Sequence, residues 1–308
     1  MIYDIIGDIH GQADQLVGLL RQLGYHHDGK SFIAPPNHQA IFIGDFIDRG
    51  AQQLATLNIV FDMIDNHQAK AVMGNHEYNA IGYILPCDDG EYLRPHTPSN
   101  VLGHQAFIDE VGYGTVLHRH WVSRFYELPL WLEFDDFICV HACYDRRSMD
   151  LLTPLLDERR LTQEALAHIC QKHSKERSAI EYLLKGIESP LPEGFSMTDK
   201  TGIVRQRARV KWWVNGWQTL SIDQTLLADD LPAILPAPLN DELAAFDIDT
   251  DKPIFIGHYW LDGTPAMLSK QVVCVDYSVG KDGHLTAYQF DTDNPTLSNE
   301  NFVQYLGG

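Results

Sequence analysis

Asp8, His10, Asp45, Asn75, His76, His141 and His258 share a placement: each lies just past the end of a short apolar run. Ile5-Ile6 leads into Gly7-Asp8-Ile9-His10-Gly11, and Ala40 to Ile43 leads into Gly44-Asp45-Phe46-Ile47-Asp48-Arg49-Gly50. Ala69 to Met73 leads into Gly74-Asn75-His76-Glu77, Phe137 to Val140 into His141, and Pro253 to Ile256 into Gly257-His258. Leaving His76 aside, two carboxylates, three imidazoles and an amide oxygen suit Mn²⁺, Fe or Zn²⁺ better than Ca²⁺, because the imidazole share is high. They also exceed what one ion needs. A pair of ions about 3.5–4 Å apart, bridged by one carboxylate, is the arrangement such a set serves in hydrolysis.

For these residues to meet, the runs must be neighbouring strands. Short apolar stretches bounded by glycine read as buried strands. Between them Leu16, Leu19, Leu20 and Leu23 share one helical face, as do Leu54, Leu57, Val60, Phe61 and Ile64. Strand–helix–strand order implies parallel crossover connections, and loops after parallel strands converge on one rim, where such folds bind ligands. Val272 to Val275 and Leu285 to Tyr288 read as a closing hairpin around Gly280 and Gly283. Residues 78–135 are aromatic and partly helical. Residues 145–252 run from helices (Leu161 to Lys185) through a basic, tryptophan-rich piece (Arg205 to Trp217) to a Pro-rich piece (Leu231 to Leu239). Both stretches read as insertions forming a cap within one domain spanning 1–308.

Composition narrows the partners. The net charge of −19 argues against a nucleic-acid scaffold or an anionic membrane surface, which need basic footprints. Bound cations offset carboxylate charge, so a phosphorylated substrate stays compatible. Five scattered cysteines do not form a disulfide framework by spacing. Met1 to Asp8 enters a strand with no basic leader, and no apolar run approaches the roughly 18 residues of a membrane span. A cytoplasmic location is the expectation.

Together these motifs resemble the phosphoprotein-phosphatase branch of the calcineurin-like metallophosphoesterases, in their bacterial form. The stretch Gly44 to Gly50 is similar to the serine/threonine protein phosphatases. Gly257-His258, Val275-Asp276-Tyr277-Ser278 and Leu285-Thr286-Ala287 look more like symmetrical diadenosine-tetraphosphate hydrolases. The resemblance implies an α/β fold: a β-sandwich flanked by helices (αββα), with the active site at strand C-terminal ends. It implies two divalent ions, Mn²⁺ first, with Fe, Zn²⁺ or Mg²⁺ as alternatives. Asp8, His10 and Asp45 would hold one, and Asp45, Asn75, His141 and His258 the other. A water shared by the ions would attack phosphorus, with His76 as general acid, Asp48 orienting it, and Arg49 on the phosphate oxygens. Of the alternating Arg205, Arg207, Arg209 and Lys211, Arg209 is the choice for the second phosphate-binding cation. Ala142-Cys143-Tyr144-Asp145 departs from the glycine-rich turn of the protein phosphatases.

The implied activity is phosphate-monoester hydrolysis, on phosphoserine/threonine or a small compound. The alternative is a dinucleoside polyphosphate hydrolase, and a third reading is a metal-stabilised binding module without turnover. Simpler readings stand beside the chemical ones. Asp8 can be a turn residue, Asn75 a helix cap and Asp48-Arg49 a surface pair. His118-Arg-His120 could suggest a separate metal site but reads as a solvated or core-edge feature, and it and His104 receive no role. His96 lies in a Pro-rich turn that reads as surface. Trp212, Trp213 and Trp217 read as packing, like Cys139 and Cys143.

Overall fold

Along a strand successive side chains point to opposite sides, and here both sides are buried. In the computed structural model, which describes residues 1–191, 193–198, 204–214, 220–228 and 246–307, Ile5, Ile41 and Ile43 enter one core. Their neighbours Ile6, Ala40 and Phe42 enter another. The same alternation divides Cys139 from Ile138 and Val140, and Phe255 from Ile254 and Ile256.

Two sheets produce this pattern. In the first, Ile2–Ile6, His38–Phe42 and Ala69–Ala71 run parallel. Thr286–Asp291 adds antiparallel to Ile2–Ile6, and Phe302–Gln304 closes that edge. In the second, Val272–Cys274, Ile254–Ile256 and Ile138–Val140 are parallel, and Trp131–Glu133 is antiparallel at the edge. Ile5, Ile41, Ile43 and Val72 of the first sheet meet Phe137, Cys139, Phe255 and Val273 of the second. The outer faces take Leu16, Leu19 and Leu20 of the helix Ala13–Gln22, and Leu57, Val60 and Phe61 of Gln53–Asp65. The result is the expected αββα sandwich. Each fully buried Leu or Ile contributes about 1.5–3 kcal/mol, so this packing is what sets the strand ends in place.

The closing hairpin does not form. Val272–Cys274 joins the second sheet and Thr286–Asp291 the first, so residues 275–285 pass between sheets across the rim. Glycines between two apolar runs fit a hairpin turn and a crossing equally well. The crossing lies against the strand-end loops: a Cβ on Gly280 would stand 2.7 Å from Arg49 Cδ and 2.9 Å from His10 Cδ2.

Residues 78–135 carry the helices Pro98–Val111 and Val116–Phe125, N-capped by Thr97 and Thr115. Glu110, near the end of the first, accepts hydrogen bonds from Gln53 N (2.7 Å) and Leu54 N (2.9 Å). A carboxylate thus satisfies the open N–H groups at the start of helix Gln53–Asp65. Beyond residue 145 come the helices Arg146–Leu152, Gln163–Cys170 and Lys175–Lys185 and a small antiparallel sheet of Glu188–Pro190, Arg207–Val210 and Leu226–Leu227. Trp217 and the Pro-rich Leu231 to Leu239 lie outside the described residues.

One cysteine pair departs from expectation. Cys87 and Cys170 form a disulfide with Cα atoms 5.3 Å apart, tying the 78–135 segment to the helix Gln163–Cys170. Spacing could not show it, because the partners are 83 residues apart. Among the described residues no helix is long and apolar enough to cross a membrane.

Candidate metal centre

The strand-end residues close into a ring. His10 Nε2 lies 3.9 Å from Asp8 Oδ2 and 3.8 Å from Asp45 Oδ2. Asp45 Oδ2 is 3.3 Å from His141 Nε2, which is 3.2 Å from Asn75 Oδ1. Asn75 Oδ1 is 2.7 Å from His258 Nδ1, and His258 N donates to Asp8 at 3.2 Å. All six are buried. Residues 250 positions apart thus share one site.

Its chemistry fits cations. His10 Nδ1 lies 2.9 Å from Ile47 O and His141 Nδ1 2.6 Å from Ile43 O, so each Nδ1–H donates to a carbonyl and each Nε2 is turned toward Asp45. Among the described residues, His10 Nε2 and His258 Nε2 are buried without a hydrogen-bond partner. Unpartnered buried nitrogens are costly unless something is coordinated there. Two groups, His10/Asp45/His76 and Asp45/His141/His258, each bring ligand atoms within 4.8 Å of one another, with Asp45 common to both. The residues fit a pair of divalent ions sharing Asp45.

The field points the same way. Burial opposes charge on Asp45, but His141 and His76 outweigh it and hold its carboxyl well below the usual range. Burial, then Arg49 and His76, push His10 down to about 3, and burial with Arg209 and His141 lowers His258 strongly. Both rings are therefore neutral donors. Burial would also lower His141, yet Asp45 and Asp8 raise it to about 10.

The backbone here is strained. His10, Asp45, Asp48, Arg49 and His258 all have φ between 50° and 71°, a region non-glycine residues rarely occupy. Such strain clusters at functional sites and persists only when the surroundings over-determine it. Glu77 is the brace: Oε2 accepts from Asp45 N (2.8 Å) and Gly74 N (3.0 Å), and Oε1 from Phe46 N (2.8 Å). Burial, then the charge of Asp45, raises Glu77 to about 7. The loops approach so closely that a Cβ on Gly44 would sit 2.4 Å from Gly74 N, and Gly44 itself has φ of 93°.

His76 stands beside the ring. Its Nδ1 is 2.5 Å from Asp48 Oδ2, and its Nε2 is 3.9 Å from Asp45 Oδ2. Arg49 is exposed at the rim, its guanidinium 3.4 Å from the centroid of the Trp260 ring. Arg209 comes from the small sheet, and its Nη1 donates to His258 O at 3.2 Å. Its strand-mates do not converge on the site: Arg207 donates to Glu188 O, and Lys211 to Asp223 O.

Four residues at the site carry roles the sequence reading did not assign. Glu77 braces the loops. Asp276 is buried and accepts from Trp260 N (2.6 Å) and Ser278 N (3.0 Å), a pairing that follows from the crossing segment. It too lies just past an apolar run, which was a usable signal. Trp260 backs Arg49. His104 hydrogen-bonds Asp48, and nothing in its local sequence signals this. Trp212 is core, donating Nε1–H to Ala142 O and Tyr259 Oη. Cys139 and Cys143 are buried free thiols. His118 is buried, which lowers it to about 4. His96 stacks against Tyr83 and Tyr92 and is exposed, as expected of its turn.

Residues 1–214 match the family described as calcineurin-like phosphoesterase, and the chain belongs to that family. Over 76 residues, 25% of this chain and 31% of the relative, it is 41% identical to the asymmetrical bis(5′-nucleosyl)-tetraphosphatase PrpE of Geobacillus sp. (strain WCH70). Over 85 residues, 28% and 35%, it is 40% identical to PrpE of Halalkalibacterium halodurans. The shared stretch is about a third of these relatives' length. The fold also resembles a protein serine/threonine phosphatase from Saccharomyces cerevisiae with similarity to human phosphatase PP5. The TM-score is 0.51 at 14% identity, covering 99% of this chain and 78% of the other. At that identity the likeness concerns the fold.

Proposed function

We propose that this protein is a two-metal phosphoesterase hydrolysing phosphate monoesters, either of phosphoserine/threonine proteins or of a small phosphorylated compound. The observation that carries the reading is the closed ring of buried ligands around Asp45, with His10 Nε2 and His258 Nε2 lacking other partners. Asp8, His10 and Asp45 would hold one divalent ion, and Asp45, Asn75, His141 and His258 the other, Mn²⁺ first. Ions bound there would lower the pKa of a shared water from 15.7 toward about 7 and offset phosphoryl charge.

The remaining work falls to the chain. Ile47 and Ile43 carbonyls orient His10 and His141. Arg49 and Arg209 offer planar forks to the equatorial phosphate oxygens. His76 gives the Nε2 proton to the departing oxygen, and Asp48 fixes its ring through Nδ1. The described parts of the 78–135 and 145–252 segments supply His104 and Arg209 to the site, and these segments would choose the leaving group.

The test is direct. Protein stripped of metal and reloaded with Mn²⁺ is expected to hydrolyse p-nitrophenyl phosphate. Folded, metal-loaded protein that cleaves no monoester or anhydride would overturn the reading. A second reading, a dinucleoside polyphosphate hydrolase, is favoured by the tetraphosphatase activity for which the PrpE relatives are named. Rates on phosphopeptides and on diadenosine tetraphosphate, measured side by side, separate the two.

A further inference from the structure

Asp48 is held from two sides. Oδ2 faces His76 Nδ1 at 2.5 Å, while Oδ1 lies 2.9 Å from His104 Nδ1. His104 sits in the middle of the helix Pro98–Val111, outside the strand-end motifs, and is buried. Its ring is clamped between Tyr83 and Phe107, with centroids 5.0 and 5.2 Å away. Among the described residues its Nε2 is buried with no partner, so the Asp48 contact is the polar bond this ring makes.

A carboxylate held through one oxygen turns easily, because the aspartate χ2 torsion is broad. A second donor on the other oxygen removes that freedom. Glu110, one turn and a half further along the same helix, braces the helix that follows the Asp48 loop. The helix Pro98–Val111 therefore reaches both the loop and its exit.

We propose that His104 is a positioning residue: by donating Nδ1–H to Asp48 Oδ1 it aims the carboxylate, and through it His76, at the leaving-group oxygen. The inference rests on the monoesterase reading above. It places part of the acid machinery in the segment that caps the site.

The experiment compares His104→Phe, which keeps a ring and removes the donor, with His104→Asn, whose amide N–H replaces Nδ1–H. Each is assayed on phenyl phosphate, whose leaving group needs a proton, and on p-nitrophenyl phosphate, whose leaving group needs little help. His104→Phe is expected to lower kcat on phenyl phosphate by about 10–100-fold, with a much smaller loss on p-nitrophenyl phosphate and KM and Mn²⁺ content unchanged. His104→Asn is expected to restore most of the loss. Equal losses on both substrates, a change in KM alone, or no advantage of His104→Asn would overturn the proposal. If His104→Phe fails to fold, His104→Leu against His104→Asn reads the same split. Asp48→Asn run in parallel reports on the underlying reading. An inactive wild type, or no leaving-group dependence in Asp48→Asn, removes that reading and His104 with it. A leaving-group effect in Asp48→Asn with silent His104 variants removes His104 alone.

Discussion

The two halves of the sandwich supply the metal centre by different means. Residues 1–77 bring their ligands in compact loops whose backbone is strained and braced: His10, Asp45, Asp48 and Arg49 have positive φ, and Glu77 gathers three backbone N–H groups. The second sheet brings His141 and His258 singly, each at the end of a three-residue strand. Their rings are aimed by atoms of the first half, Ile43 O for His141 and Asn75 Oδ1 for His258. The loops of the first sheet thus form a braced frame, and atoms of that frame orient the imidazoles of the second sheet. Asp45 is where the halves meet, touching both His10 and His141.

The strongest way to break this contrast is to remove the meeting point. Asp45→Asn is expected to lose both ions and reduce turnover by about 10³-fold or more, read by elemental metal analysis and p-nitrophenyl phosphate kinetics. His76→Asn tests the frame without touching a ligand. Metal should stay bound while kcat on phenyl phosphate, whose leaving group needs a proton, falls by about 10²–10⁴-fold. Retained activity would remove His76 as the acid.

Smaller effects sharpen the contrast. Glu77→Gln replaces an acceptor of three N–H groups in the frame. Urea unfolding should show a loss of about 1–3 kcal/mol, and a neutral result would mean the loops hold their strained φ without it. For the second half the handle is pH. Asp45 and Asp8 raise His141 above its ordinary value of 6.5 to about 10 despite burial, so at pH 7–8 the metal-free ring carries a proton. Metal must displace it, so uptake should release a proton and tighten as pH rises toward 10. Calorimetry in two buffers of different ionisation heat measures this, and zero release would count against His141 as a ligand. For the metal-free fold the sign reverses: this shift contributes stability below pH 6.5 that is lost as pH rises through about 10. The smallest effect on the metal centre is expected from Cys87→Ser, which opens a long loop. It should lower the melting temperature while leaving metal content alone.

Much of the site was legible because its signals are local. Asp8, His10, Asp45, Asn75, His141 and His258 each follow an apolar run, and parallel strands end on one rim whatever the intervening chain does. The αββα layering was legible only through the family resemblance, because runs buried on both faces, as Ile5 and Ile6 are, fit a single sheet between helices equally well. Arg209 was distinguishable from Arg207 only through the fold, since the two alternate along one strand. The Cys87–Cys170 pair and the crossing of residues 275–285 were not legible, because both depend on partners far along the chain.

The order and types of its residues alone determined that this chain would carry carboxylates and imidazoles at strand ends, and therefore which chemistry was open to it. Which sheet each strand joins, which oxygen of Asp48 meets which histidine, and that a helix from residues 98–111 reaches into the site were decided by tertiary packing. The physical reason is that the two-residue repeat of a strand fixes which way a side chain faces but not which strand lies beside it. Neighbours are chosen by burial summed over the whole core, and no short stretch of sequence contains that sum.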